Sequence, residues 1–398
     1  MKRGTVEKYL KGYAEAEIQT MPVGRGRWKY VVCIPACAES GSLMETLQVM
    51  AKVRHAESAL VVVVINARQS ASQRVHESNA ETWHEVVGDT PYDGSGFAHV
   101  TRTGLDVLAV DRWSAGRWLP EKQGVGLARK IAGDIALALI QRGHIEHDWI
   151  RCTDADVRVP DDFFEQIHDV SSDVSTVIAP FIHVPEGDKA QQTAMAVYDE
   201  YLQSYVDGLR AAGSPYAFHT IGSLISIRAQ SYAAVRGIPR REAGEDFYLL
   251  NKLAKVGRVV SLAGNPIQIR GRLSDRVPFG TGAALHQICD ALERNESYRS
   301  YDPRVFDGLA HWLSALDQFV VHSDAARLQR SVKALEDPLG SALFQTLESM
   351  GAFTSAEQAS RQVSGIQLRR RLMEWNDAFR TLKLIHGLRD KGIDQPPQ

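Results

Sequence analysis

Apolar positions change their spacing along the chain, and each change marks an element. "KYVVCIPACAES" (29–40) is a run rich in β-branched residues that meets Pro35, the pattern of a buried strand running into a loop. In "GSLMETLQVMAKV" (41–53), Leu43, Leu47, Met50 and Val53 recur at helical spacing, which predicts an amphipathic helix. "ALVVVVINA" (59–67) is apolar almost without a break, as in a strand covered on both faces. Strand, helix, strand is the unit of a parallel sheet. The alternation continues with a strand at "LDVLAVD" (105–111), a helix at "GLARKIAGDIALALIQRG" (126–143) and a strand at "DWIRCTDAD" (148–156). A helix at "PDDFFEQIHDV" (160–170) and a strand at "VSTVIAPFI" (174–182) follow. An α/β domain with a mostly parallel sheet flanked by helices is therefore expected. From about residue 276 long helical stretches take over, among them "GLAHWLSALDQFVVH" and "IQLRRRLMEWNDAFRTLKLIHGLRD". The expected organisation is an N-terminal extension (1–28), the α/β domain (29–275) and a helical C-terminal region (276–398) that packs on the sheet domain or on a partner, a second copy included.

Composition narrows the function class. Charged residues make up 24% and hydrophobic residues 44%, with a formal net charge of −2. These are values of an ordinary globular protein with no electrostatic footprint for nucleic acid. Cys33, Cys37, Cys152 and Cys289 form no CxxC pair, so reduced thiols are expected. The first twenty residues lack an apolar core, and "ALVVVVI" (59–65) is too short to span a bilayer, which leads to the expectation of a cytoplasmic protein. "LRRRLMEW" (368–375) sets three arginines beside an apolar stripe; it reads as a solvated helix face, with peripheral contact to anionic lipid as the alternative.

In open sheets of this kind ligands gather beyond the carboxyl ends of the strands. That puts Pro35, Glu39, Asn66, Asp111, Asp154 and Asp156 on one rim. In "WIRCTDADVRVPDDFF" (149–164) two carboxylates stand one residue apart at a strand end. They can converge on Mg²⁺ or Mn²⁺, whose remaining shell is then open to a substrate phosphate. They equally suit a strand end that caps a helix starting near Asp161. In "REAGEDFYLLNKLAKVG" (241–257), Glu245 and Asp246 fall in the first turn of a helix after Gly244. Complementing the helix dipole accounts for them there, and so does a general base beside a metal site.

Other features divide the same way. "GVG" (124–126) lacks the third glycine of a dinucleotide fingerprint, where Arg129 stands instead. His144 and His147 read as a helix end rather than metal ligands. His219, followed by Gly222 and Ser223 in "HTIGS", reads as a core histidine or as a contact to acceptor or phosphate. "GRLSDRVPFGTGAAL" (271–285) places Arg272 and Arg276 in a Gly-rich loop, able to close over phosphates or to serve as a linker.

Taken in order, "VVCIPACAESGSLMETLQ", "GVGLARKIAGDIALAL", "IRCTDADVRVPDDFF", "TIGSLISIRAQSYAAVRGIP" and "AGEDFYLLNKLAKVG" resemble the GT-A glycosyltransferases of the family 2 type, over residues 29 to 265 or so. The resemblance implies a transferase that moves a sugar from a nucleotide-diphosphate donor to an acceptor hydroxyl with inversion, using Mg²⁺ or Mn²⁺. It implies that Pro35 and Glu39 lie against the nucleotide, that Arg129 touches it, and that Asp154 faces the ribose or the metal. Asp156 would be the principal metal ligand, Asp246 the base and Glu245 an orienting carboxylate. Asn66 stands where the family commonly has an aspartate that reads base and ribose. The QxxRW motif of processive membrane synthases is absent; the nearest stretch is "QIRGR" (268–272). A sugar-nucleotide nucleotidyltransferase and an inactive nucleotide-sugar binding module are the rival readings. The first expects a basic residue in the N-terminal loop, and "CIPACAESGS" has none.

Overall fold

The computed structural model describes residues 3–22, 26–271, 281–294, 296, 298 and 300–393, so Arg272 and Arg276 lie outside the described residues. The chain divides into two units, 1–187 with 220–284, and 188–219 with 285–398. The first unit opens with α1 (Arg3–Gly12) and α2 (Glu17–Thr20), then β1 (Tyr30–Ala36), α3 (Ser42–Met50), β2 (Ala59–Asn66) and α4 (Gln73–Val87). It continues with β3 (Phe97–Arg102), β4 (Leu105–Arg112), α5 (Val125–Gln141), β5 (Trp149–Cys152), β6 (Val157–Arg158), β7 (Val174–Ile178) and β8 (Phe181–Pro185). Helix α6 (Lys189–Ala211) belongs to the second unit. The chain returns to the first unit with β9 (Ile225–Arg228), α7 (Ala229–Ala234), α8 (Glu245–Leu253), β10 (Arg258–Ser261) and β11 (Ile267–Gly271).

Eight strands form the main sheet in the order β10-β7-β9-β5-β1-β2-β4-β3, and β6-β11-β8 form a smaller one. The centre is parallel, β5-β1-β2-β4, as is the β10-β7 edge pair; β9 runs antiparallel between β5 and β7, and β3 antiparallel on β4. Every residue of β1 and β2 is buried, which is why their sequences show no polar alternation. The chain winds outward from β1 to β2 and β4, then crosses back through α5 to β5 on the other side of β1. The crevice beyond β1 and β5 is thus a topological switch point, where open α/β sheets bind ligands.

Two expected elements differ. Residues 160–170 form successive turns instead of a helix. The Arg151 side chain donates to the carbonyls of Phe163 and Phe164, acceptors that a regular helix would use itself. The Asp154–Asp156 pair therefore has no helix near Asp161 to cap. The expected strand 174–182 is two strands in different sheets, broken at Ala179, whose N–H donates to Leu224, and at Pro180, whose carbonyl receives the Ile267 N–H.

The second unit adds to α6 the helices α9 (Thr281–Glu293), α10 (Pro303–His322), α11 (Ala325–Lys333), α12 (Leu339–Ser349), α13 (Ala352–Ser360), α14 (Gly365–Trp375) and α15 (Ala378–Arg389). α9 itself begins just before the boundary at 284/285. Its core gathers around Trp312, fully buried, whose indole N–H donates to Asn376 at 3.0 Å. On α14 the arginines face solvent and polar partners: Arg369 pairs with Asp317, Arg370 with Glu374, and Arg371 with Gln362. That is the solvated-face arrangement. Among the described residues no helix is long and apolar enough to cross a membrane. All four cysteines are free.

Candidate active site

The rim of the first unit is built by backbone stitching. The loop after β1 is held by α4: Ala38 N–H donates to Asn79 at 2.8 Å, Ser40 N–H to Ser78 at 3.4 Å and Gly41 N–H to Glu85 at 3.0 Å. Pro35 and Glu39 are buried at its base and in the loop itself. Asn66, at the end of β2, gives its amide N–H groups to the carbonyls of Ala36 at 2.9 Å and Val64 at 3.1 Å. A carboxylate could not donate there. The asparagine thus ties the ends of β1 and β2 together. Asp111, near the end of β4, receives the backbone N–H groups of Trp113 and Ser114 and the hydroxyls of Ser114 and Tyr92, and so organises the loop that follows.

Opposite stands the start of α5. The N–H groups of Gly124 and Gly126 both donate to the Arg241 carbonyl, and a Cβ on Gly126 would fall 2.4 Å from the Pro239 oxygen. The glycines of "GVG" are there for this close approach of two backbones. It brings the N-terminus of α8 beside α5, with Gly244 turning the chain at φ 71°.

One guanidinium joins these elements. Arg129 on α5 is 6% exposed; its Nε donates to Glu245 at 2.9 Å and its Nη2 to Asp154 at 2.5 Å. Weaker bonds reach the carbonyls of Thr153 at 3.4 Å and Gly222 at 3.5 Å. Burial alone would lower the pKa of Arg129, but Asp154 and Glu245 outweigh it and raise the value. A Cβ on Gly222 would lie 2.6 Å from Nη2, so glycine is what lets the short stretch before β9 approach this cation. Ser223 beside it is 1% exposed, and its hydroxyl has no hydrogen-bond partner among the described residues.

Asp246, half-buried, takes the N–H of Phe247 at 2.7 Å. Burial first, and the neighbouring charge of Glu245 second, push its pKa up to about 7; the Phe247 bond and Arg129 work against that rise. Asp156 is half-buried on the turn between β5 and β6. The structure therefore gathers Arg129, Asp154, Glu245 and Gly222, with Asp156 and Asp246 adjoining in sequence. His219 falls in the second unit. His147 packs against both Tyr30 and His168, with ring centroids 4.9 and 5.4 Å away. Among the described residues no three His, Cys, Asp or Glu side chains form a closed metal cage.

Thr46, Asn79 and Tyr92 were not legible as rim residues. Thr46 carried one signal, a hydroxyl on the otherwise apolar stripe of α3.

No family model matches the chain, and no curated protein does. Among solved structures it is similar to S. aureus TarS 1-349 in complex with UDP-GlcNAc, with TM-score 0.42, 14% identity, and 84% of this chain and 92% of that chain covered. A second is the mannosyltransferase PcManGT from Pyrobaculum calidifontis in complex with GDP-Man and Mn²⁺, with TM-score 0.37, 16% identity and coverage of 96% and 93%. A third is glucosyl-3-phosphoglycerate synthase from Mycobacterium tuberculosis in complex with Mn²⁺, UDP and glucosyl-3-phosphoglycerate, with TM-score 0.36, 12% identity and coverage of 74% and 84%. Likeness at these scores carries no weight for function, which has to be read from the residues.

Proposed function

We propose that the first unit is a GT-A-type, inverting glycosyltransferase that moves a sugar from a nucleotide-diphosphate donor to an acceptor hydroxyl. The observation that carries this reading is the charge imbalance at the switch point. Among the described residues Arg129 is the one cation paired with Asp154 and Glu245, and Asp246 beside them has its pKa pushed up to about 7. A general base works best when its pKa lies near the working pH.

In the proposed reaction the acceptor hydroxyl gives its proton to the Asp246 carboxylate as its oxygen bonds the anomeric carbon. The bond from that carbon to the diphosphate oxygen breaks, and the electron pair leaves with the nucleoside diphosphate. Attack opposite the leaving group inverts the centre. Glu245, anchored by Arg129, holds the backbone of the first α8 turn and thereby the direction of Asp246. The loop from Pro35 to Gly41 would lie against the nucleotide.

The donor set fits Mg²⁺ or Mn²⁺. These hard cations are held by one or two carboxylates and fill the rest of their shell with phosphate oxygens and water. Asp156 would hold the cation, with Asp154, already engaged by Arg129, supplying charge beside it. When bound, the cation offsets the negative charge that develops on the leaving diphosphate. The test is release of nucleoside diphosphate from UDP-, GDP-, CDP- and dTDP-sugars with a panel of acceptors. Turnover of one donor class, lost in Asp246→Asn, supports the reading. Turnover unchanged in Asp246→Asn removes the assigned base.

A further inference from the structure

On α3, Leu43, Thr46, Leu47 and Met50 form the buried stripe, and Thr46 is 2% exposed. A hydroxyl in that position needs an acceptor. Thr46 Oγ1 lies 2.9 Å from the Ala155 carbonyl and 3.0 Å from the Val157 carbonyl, the two that flank Asp156. It has one proton to give, shared between them or alternating. Either way the hydroxyl holds the 155–156 peptide that enters Asp156 and the 157–158 peptide one residue beyond it. Glu45, one residue earlier, pairs with Arg158 and Arg270. Those partners are partly to largely solvent-exposed, and exposed ion pairs restrain little. The buried hydroxyl is the firmer tie.

The same helix grows out of the loop after β1. Leu43 N–H donates to the Glu39 carbonyl at 3.2 Å, and Glu45 N–H to the Gly41 carbonyl at 3.1 Å. One short helix therefore carries the loop assigned to the nucleotide and the hydroxyl that fixes the turn assigned to the metal.

We propose that Thr46 is a positioning residue that sets the Asp156 carboxylate for a divalent cation. Metal affinity is then tied to α3 and not to the turn alone. The inference rests on the transferase reading of the rim.

Thr46→Val removes the hydroxyl at nearly constant volume, and Thr46→Ser keeps it. UDP, GDP, CDP and dTDP are titrated calorimetrically into each protein with Mn²⁺ and again with EDTA, and thermal unfolding is followed in parallel. Partners just outside a metal's ligands typically contribute about tenfold or more in affinity. Thr46→Val is expected to lose about that factor in Mn²⁺-supported affinity while its affinity in EDTA is unchanged, and Thr46→Ser to keep the wild-type ratio. Should Thr46→Val fail to fold, Thr46→Ala, which cannot crowd the turn, gives the same ratio. Equal Mn²⁺-to-EDTA ratios in the wild type and the hydroxyl-free variant overturn the proposal, as does a parallel fall of both affinities. Wild-type protein that takes up none of the four nucleotides with Mn²⁺ overturns the transferase reading, and this proposal with it.

Discussion

Two clusters of buried charge stand one residue apart on α5, and they are built to opposite ends. Lys130 donates to Asp134 at 2.7 Å and to the Tyr9 hydroxyl at 2.6 Å, and it lies 3.4 Å from Glu15, which Arg240 meets at 2.7 Å. The hydroxyls of Tyr9 and Tyr232 both donate to Asp134, at 2.5 and 2.7 Å. Two cations meet two carboxylates there, and the Asp134 oxygens are saturated by donors. At Arg129 one cation directly faces two carboxylates, with Asp246 alongside. The balanced cluster clamps α1 and α7 onto α5. Among the described residues the second cluster holds more carboxylates than cations, which is what the proposed binding and catalytic centre calls for.

The contrast breaks first at the base. Asp246→Asn should lower turnover by about a thousandfold, the range of a positioned general base, with nucleotide affinity unchanged. A turnover loss of less than tenfold would place the base elsewhere. In the balanced cluster, Asp134→Ala should cost about 3 kcal/mol and on the order of 10 °C in Tm, because Lys130 would be left buried without its main partner. The same variant should leave nucleotide affinity and the pH profile unchanged; a shift in either would join the two clusters functionally.

The pH profile sharpens the comparison. As the proposed base Asp246 would act ionised, so kcat/KM should fall as pH drops through about 7. Arg129→Gln removes a charge that lowers the Asp246 pKa, so this acid limb should move to higher pH by about one unit. The smallest expected effect is on stability. A carboxyl whose folded pKa is raised favours the protonated form, so its cost to the fold is absent near pH 4 and grows as pH rises through 7. Asp246→Asn should therefore raise Tm at pH 8 and leave it unchanged near pH 4. Equal gains at both pH values would mean that the mutation acts through packing.

Much of the first unit was legible because its signals are local. The unbroken apolar runs of β1 and β2 reflect burial on both faces, and Glu245 and Asp246 begin α8 where the pattern put them. What escaped depends on distant partners. Residues 160–170 have helical spacing, yet Arg151 takes two of their carbonyls. Helix α6 packs within the second unit although it interrupts the first in sequence, and no local pattern announces that. Asn66 differs from the aspartate of the resembled family because its amide donates to the end of β1, a role only visible once β1 and β2 are paired. Thr46 sits within an apolar stripe, where a hydroxyl is itself the clue to a distant acceptor.

The most direct test of the unbalanced rim is calorimetric titration of UDP, GDP, CDP and dTDP into wild type and Asp156→Ala, with Mn²⁺ and then with EDTA. The account predicts that one nucleotide class binds, that EDTA weakens it and that Asp156→Ala abolishes the metal-dependent part. Binding of no nucleotide, or metal-dependent binding undiminished in Asp156→Ala, would contradict it.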